Sequence, residues 1–235
     1  MSRRFPKNLR EVVRKSPLYR PYARAKYGLR SSAREELSAN YFRDNTWGDA
    51  ESRSGAGSSL AETSHLRTQL PLLLQRLGVQ SLLDVPCGDF VWMQHVDLTG
   101  IDYVGGDIVS ELVSMLQQEH GRPGRHFVRL DVVNDELPLV EAVLVRDLFL
   151  HLPLATVQRA TRNLRRCGAA WLLTSNYPEI RSNSDIQMGQ HRFLNLTQPP
   201  FSWPAPIEVI HEGSTTDKDR ADKQLAVWQL SHVPA

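Results

Sequence analysis

The chain has 235 residues, 41% of them apolar and 23% charged, enough to bury a substantial core in one globular α/β domain. No apolar run approaches the ~20 residues of a membrane span. The two cysteines, Cys87 and Cys167, make no disulfide framework, so a cytoplasmic setting is expected.

The formal net charge of +2 hides an asymmetry. Residues 1–30 hold ten basic residues and one acid, Glu11, a balance of +9 that leaves −7 for the rest of the chain. Pro6, Pro17 and Pro21 interrupt this stretch, which also lacks the apolar segment of a secretory signal. It reads as a solvated tail first and as a weak membrane-surface contact second. Residues 31–46 mix helix formers with polar residues and predict a short helix. Residues 1–46 are therefore expected to form a basic N-terminal extension, partly helical or mobile, ahead of a domain covering 47–235.

Residues 47–59 are rich in Gly and Ser, which excludes a regular element. They also carry Trp47, Asp49 and Glu51, which a plain linker would not need. We read them as a loop folded over a site. Leu66, Leu70, Leu73, Leu74 and Leu77 share one helical face, and Gly78 ends that helix. Strands are predicted at 81–85, 103–107, 127–132, 142–145 and 170–174. Between them lie helical segments at 90–96, 108–119 and 154–166. An irregular stretch, 175–206, carries five prolines. Two last strands, 207–211 and 225–230, flank a polar loop over 218–222. Strands alternating with helices predict a doubly wound, mostly parallel seven-stranded sheet with helices on both faces and the last strand antiparallel.

Ligands of such sheets sit beyond the carboxyl ends of the strands. Asp84, Asp107, Asp131 and Asp147 all fall near such ends. Asp84-Val85-Pro86-Cys87-Gly88-Asp89-Phe90 forms a tight, acid-bearing loop after the first strand, and Gly88 lets the backbone approach a ligand. A glycine-bearing turn followed about twenty residues later by an acid is the plan of a nucleoside site. The G-x-G-x-x-G of dinucleotide sites is absent, and Asp89 would repel a pyrophosphate, so a cationic or zwitterionic ligand fits better.

The run 83–89, Leu-Asp-Val-Pro-Cys-Gly-Asp, resembles the first motif of class I S-adenosylmethionine-dependent methyltransferases, in the form seen in a bacterial subgroup with Pro-Cys-Gly-Asp. The segment Trp47-Gly48 followed by Glu51-Ser52-Arg53-Ser54-Gly55-Ala56-Gly57-Ser58 resembles what precedes that motif in the same subgroup. The resemblance covers about residues 47–230. It implies a Rossmann-like methyltransferase fold with S-adenosylmethionine as cofactor. Asp84, Pro86, Cys87, Gly88, Asp89 and Phe90 would hold its amino acid portion. Asp107 would take the ribose hydroxyls, Ile108 would pack on the adenine, and Asp131 with Val132 would lie near the adenine amino group. Arg146 and Asp147 would floor the site, and Trp47 would close over it.

Methyl transfer to a hydroxyl or amine needs alignment, exclusion of water and a base. His151 is the first candidate base and Asp147 the second. Arg192 and Asn195, after the fifth strand, are the candidate acceptor contacts. No metal site is expected, since neither the carboxylates nor His191 and His211 have ligand spacing. The expected function is methyl transfer to a small-molecule or glycan-like acceptor, at oxygen because the amino-methyltransferase signature is absent. An NAD-dependent reductase, a non-catalytic cofactor-binding module and a nucleic-acid methyltransferase are the alternatives. Nucleic acid ranks low, because no aromatic-studded basic surface follows the N-terminal stretch.

Overall fold

The computed structural model describes residues 32–213 and 221–234. Residues Ala33–Ala235 form one compact unit. The helix predicted over 31–46 lies within it: α1 (Ser32–Arg43) buries Ala39 against the core and ion-pairs with the sheet edge. The basic stretch before it, with its proposed membrane contact, and most of the 218–222 loop lie outside the described residues.

Seven strands form one sheet: β1 (Ser81–Asp84), β2 (Asp102–Asp107), β3 (Arg125–Arg129), β4 (Ala142–Val145), β5 (Trp171–Asn176), β6 (Glu208–His211) and β7 (Gln224–Gln229). Their order is β3-β2-β1-β4-β5-β7-β6. The first five are parallel, and β7 runs antiparallel to both β5 and β6. This is the predicted fold class. The order reverses between β1 and β4, which opens a crevice at their carboxyl ends.

Side chains alternate strictly between two cores, as the period of a strand requires. Leu82, Leu144, Leu173 and Val227 face one core; Leu83, Val143, Leu172 and Trp228 face the other. The first core is closed by Leu66, Leu70, Leu73 and Leu74 of α2 (Ser64–Arg76) and by Leu112, Val113 and Leu116 of α3 (Ser110–His120). The second is closed by Val157, Ala160 and Leu164 of α4 (Leu154–Arg166). Each fully buried leucine is worth roughly 1.5–3 kcal/mol of transfer free energy.

Two local differences from the predicted elements bear on the site. The helix expected over 90–96 is a single 3₁₀ turn, Met93–His95. β3 ends at Arg129, two residues before Asp131, which leaves Asp131 free to turn back and accept the Val133 N–H at 3.0 Å.

Candidate active site

One cavity occupies the crevice at the carboxyl ends of β1, β2 and β4. α1 and the 47–59 loop form its outer wall. Of the residues singled out from the sequence, Trp47, Asp84, Pro86, Cys87, Gly88, Asp89, Asp107, Ile108, Asp131, Val132, Arg146, Asp147 and His151 all line it.

Asp84 ends β1, only 2% exposed, and accepts a hydrogen bond from the Tyr103 hydroxyl at 2.7 Å. Burial pushes its pKa up to about 7, against the lowering effects of Tyr103 and Arg146. Asp107 ends β2 and accepts the Val109 N–H at 3.0 Å and the Gly88 N–H at 3.3 Å. Burial likewise raises it to about 6. Desolvation is the main cause at both carboxyls, and a cationic ligand would offset it. The Cys87 thiol is pushed well up by burial, with Asp107 and Asp84 adding to the shift, and is no nucleophile.

The loop over 86–89 is bound to the loop over 47–59. The Ser52 hydroxyl donates to both carboxylate oxygens of Asp89, at 3.1 and 2.9 Å, and the Ser54 N–H donates to one of them at 3.3 Å. The Ser54 hydroxyl in turn accepts the Asp89 N–H at 3.0 Å. Gly88 has φ +54°, and a Cβ there would lie 2.4 Å from Ser54 Oγ. The space its missing side chain leaves is thus filled by Ser54, where close approach to a ligand was expected. The outer loop is a fixed wall with further anchors: Asp49 Oδ1 accepts the Glu51 and Ser52 N–H groups, and Glu51 Oε2 accepts the Leu60 N–H.

Three of the residues singled out from the sequence stand away from the cavity. Phe90 is fully buried among Tyr103, His120 and Phe127 and does not line the cavity; its ring is core, under the guanidinium of Arg125. Arg192 is spent on the backbone: it donates to the carbonyls of Phe149 and Leu152, both at 2.7 Å, and of Ser184 at 3.0 Å. Asn195 is also structural. Its amide donates to the Pro178 and Ile180 carbonyls at 3.0 Å, and its oxygen accepts from Thr197. Neither Arg192 nor Asn195 reaches the cavity. From the same stretch Met188 and Gly189 do.

Asp131 is also less available than expected. It ion-pairs with Arg34 of α1, and the Asn134 amide donates to the same oxygen at 2.9 Å. No sequence signal marked Arg34, since a lone arginine on an exposed helix is ordinarily solvated.

Beyond β4 lies a buried charged cluster. Arg146 Nη2 donates to Glu212 Oε2 at 2.6 Å and to the Gly57 carbonyl at 2.8 Å. Lys223 Nζ lies 2.6 Å from Asp147 Oδ2 and 3.4 Å from Glu212 Oε2. Burial would raise the Asp147 carboxyl, but Lys223, Arg146 and the Ser175 hydroxyl hold it well below the usual carboxylate range. Asp147, the second candidate base, is thus held as a paired anion. Its backbone sits at φ +57°, a conformation Asp tolerates better than most residues. The Ser175 hydroxyl, which accepts its N–H at 2.9 Å, helps hold it there. Glu212 and Lys223, from the β6–β7 hairpin, escaped sequence reading because they are far from any motif.

His151 stands on the 3₁₀ turn Phe149–His151 after β4. Its ring centroid is 4.7 Å from that of Trp47, whose other neighbour is the edge of Tyr41 at 5.5 Å. His151 Nδ1 lies 3.2 Å from the Gln190 carbonyl oxygen, and the Gly189 N–H donates back to the His151 carbonyl at 3.1 Å. A carbonyl only accepts, so Nδ1 carries the proton and Nε2 is the accepting nitrogen. Burial, aided by His191, pushes the pKa down to about 4, so the ring is neutral at pH 7. Among the described residues no cluster of three or more His, Cys, Asp or Glu side chains could hold a metal, and no helix is long and apolar enough to cross a membrane.

No protein-family model and no curated protein matches the sequence. Solved structures do match in fold. Two of the methyltransferase domain of a bacterial CtHen1 align with 72% of this chain. One covers 99% of that domain at 12% identity and a TM-score of 0.51, the other 98% at 13% and 0.52. Magnesium protoporphyrin IX methyltransferase from Synechocystis, solved with bound SAH, aligns over 63% of this chain and 74% of its own at 16% identity and a TM-score of 0.47. The chain thus shares the doubly wound, seven-stranded fold of the CtHen1 methyltransferase domain.

Proposed function

We propose that the protein is an S-adenosylmethionine-dependent methyltransferase of the class I type, acting at a hydroxyl oxygen of a small acceptor. The observation that carries this reading is the pair of buried carboxyls, Asp84 and Asp107, raised by burial at the switch point of a methyltransferase-type sheet. A pair of buried carboxyls favours a ligand bearing an ammonium, a sulfonium and ribose hydroxyls over a dinucleotide with two phosphates.

When bound, S-adenosylmethionine supplies an electrophilic methyl carbon. The chain's own residues would do the rest. Asp107 has lone pairs left after accepting the Gly88 and Val109 N–H groups, and these suit ribose hydroxyls. Ile108 and Leu130 offer apolar walls for a base. Asp84 and the backbone over 86–89 suit an amino acid moiety. The Arg146–Glu212–Lys223–Asp147 cluster suits a fixed floor, since ion pairs join all four side chains. Trp47, Tyr41 and α1 exclude water from the site. His151 Nε2 takes the acceptor proton.

Calorimetric titration with S-adenosylmethionine, S-adenosylhomocysteine and NADH tests this. Micromolar binding of the first two and none of NADH is expected. Binding of NADH alone would replace the reading with a reductase. Binding of the first two without turnover on any acceptor would leave a cofactor-binding module.

A further inference from the structure

Three of the side chains that line the cavity are rings in mutual contact. Trp47 meets Tyr41 edge-on and His151 at a tilt, and the apolar Leu148, Leu152 and Met188 line the same cavity. Trp47 remains 38% exposed, so this edge opens outward. Beyond His151 the ring contacts continue to His191, 5.4 Å away, and on to Phe193.

Among the described residues, the cations that line the cavity are Arg34, Arg53 and Arg146, and each has a partner. Arg34 pairs with Asp131, and Arg146 with Glu212 and Asp147. Arg53 lies over the Phe42 ring and donates to the Phe42 carbonyl at 3.3 Å. The carboxylates of Asp89, Asp107 and Asp147 line the same space. An acceptor carrying a carboxylate or phosphate would meet that negative field with each of these cations already engaged.

The turn over 187–190 clamps His151 at two points. The Gln190 carbonyl takes Nδ1–H, and the Gly189 N–H holds the His151 carbonyl. Gly189 has φ +82°, and a Cβ there would lie 2.8 Å from the Tyr41 hydroxyl oxygen, so this turn also fixes Tyr41. The clamp leaves Nε2 as the ring's acceptor. A phenolic hydroxyl, with a pKa of about 10, is far more acidic than an alcohol and gives its proton to such a nitrogen more readily.

We infer that the acceptor is an uncharged hydroxylated arene, its ring seated against Tyr41, Trp47 and His151 and its hydroxyl hydrogen-bonded to His151 Nε2. This rests on the methyl-donor reading above and narrows it, replacing a glycan-like acceptor with a phenol. In the transfer, the phenolic oxygen forms its bond to the donor's methyl carbon as that carbon's bond to sulfur breaks. The bonding pair leaves with sulfur, and the hydroxyl proton passes to Nε2 and then to water. Nothing is oxidised or reduced.

The test uses the full chain loaded with S-adenosylhomocysteine, whose own binding is measured first by calorimetry. The loaded protein is then titrated with naphthol, catechol and hydroxycoumarin, and in parallel with naphthylmethanol, naphthoate and methyl glucoside. Naphthol and naphthylmethanol should bind within a few-fold of each other, naphthoate at least about tenfold more weakly, and methyl glucoside not measurably. With S-adenosylmethionine in place of the product, naphthol should give its methyl ether and naphthylmethanol should not. Trp47→Leu should weaken naphthol at least about tenfold, and His151→Phe should keep naphthol binding while lowering turnover about 100-fold or more. Failure of all three phenols to bind or react in protein that binds S-adenosylhomocysteine would overturn the inference and leave the methyl-donor reading standing. So would preference for the glucoside, or naphthol binding unchanged in Trp47→Leu. Failure to bind S-adenosylhomocysteine would overturn both.

Discussion

The Ser52 hydroxyl donates to both carboxylate oxygens of Asp89, across 37 positions of sequence. This contact joins the wall before β1 to the loop after it, and so decides the shape of the cavity's inner end. Ser52 is almost wholly buried, and its oxygen also accepts the Ser54 N–H at 3.1 Å. Ser52→Ala should cost about 1–3 kcal/mol, because it removes a charge-assisted hydrogen bond to Asp89 and an acceptor of the Ser54 N–H. Thermal unfolding should fall by roughly 3–10 °C, and donor affinity should fall with it. An unshifted melting curve would show that the wall is held without Ser52.

Asp107→Ala should weaken binding of S-adenosylhomocysteine about 10- to 100-fold, the loss of charge-assisted hydrogen bonds worth about 1.5–3 kcal/mol. The Gly88 and Val109 N–H groups also lose their acceptor, so Asp107→Asn serves as the milder variant. Calorimetry reads both. Affinity within twofold of the parent in both variants would remove Asp107 from the ribose.

The raised carboxyls predict proton linkage. Asp84 and Asp107 sit at about 7 and about 6 in the folded protein, so each is partly protonated where an ordinary carboxyl is not. A cationic donor favours their charged forms, so its binding should expel protons and strengthen as pH rises from about 6 to 7. In the free protein the sign reverses for stability. The folded state holds these protons from about pH 4 up to 6–7 while the unfolded chain has lost them, so the pair's contribution falls as pH rises through that window. Titrations in buffers of different ionisation enthalpy would count the protons. Equal heats in all buffers at pH 6.5, for parent and Asp84→Asn alike, would exclude the linkage.

Arg192→Ala should be a stability variant. The guanidinium ties three backbone carbonyls, those of Phe149, Leu152 and Ser184, across more than thirty residues of chain. Burial lowers its pKa to about 10, which leaves it charged at neutral pH. Its loss should cost on the order of 3 kcal/mol. Since the Phe149 carbonyl belongs to the turn bearing His151, turnover should fall through lost folded protein, with KM for the donor unchanged. Denaturant titration beside donor binding separates the two. A raised KM for an anionic acceptor at full stability would restore Arg192 to the site.

Much of the fold was legible in the sequence. β4 and α4 fall where the apolar periodicity puts them, and the strand acids Asp84 and Asp107 land at the carboxyl ends of β1 and β2. Local pattern was enough there, because burial on both faces of a parallel strand demands a continuous apolar run and the crevice follows from strand order. The errors arose where a residue's partner lies far along the chain. Phe90 follows the acidic loop directly, yet its ring turns into the core against Tyr103 and Phe127. Arg192 looked available because its carbonyl partners are backbone atoms, which no side-chain pattern reveals.

The sequence by itself determined the strand periods, the helix faces and the acids that close two strands, since these rest on spacing and burial within a few residues. Only the tertiary structure decided which charges remain available. Asp147 is held by Lys223 across 76 positions, Asp131 is claimed by Arg34 across 97, and Nδ1 of His151 is set by a carbonyl 39 residues away. A charge is active or inert according to what stands within a few ångströms of it, and the chain's folding alone brings those groups together.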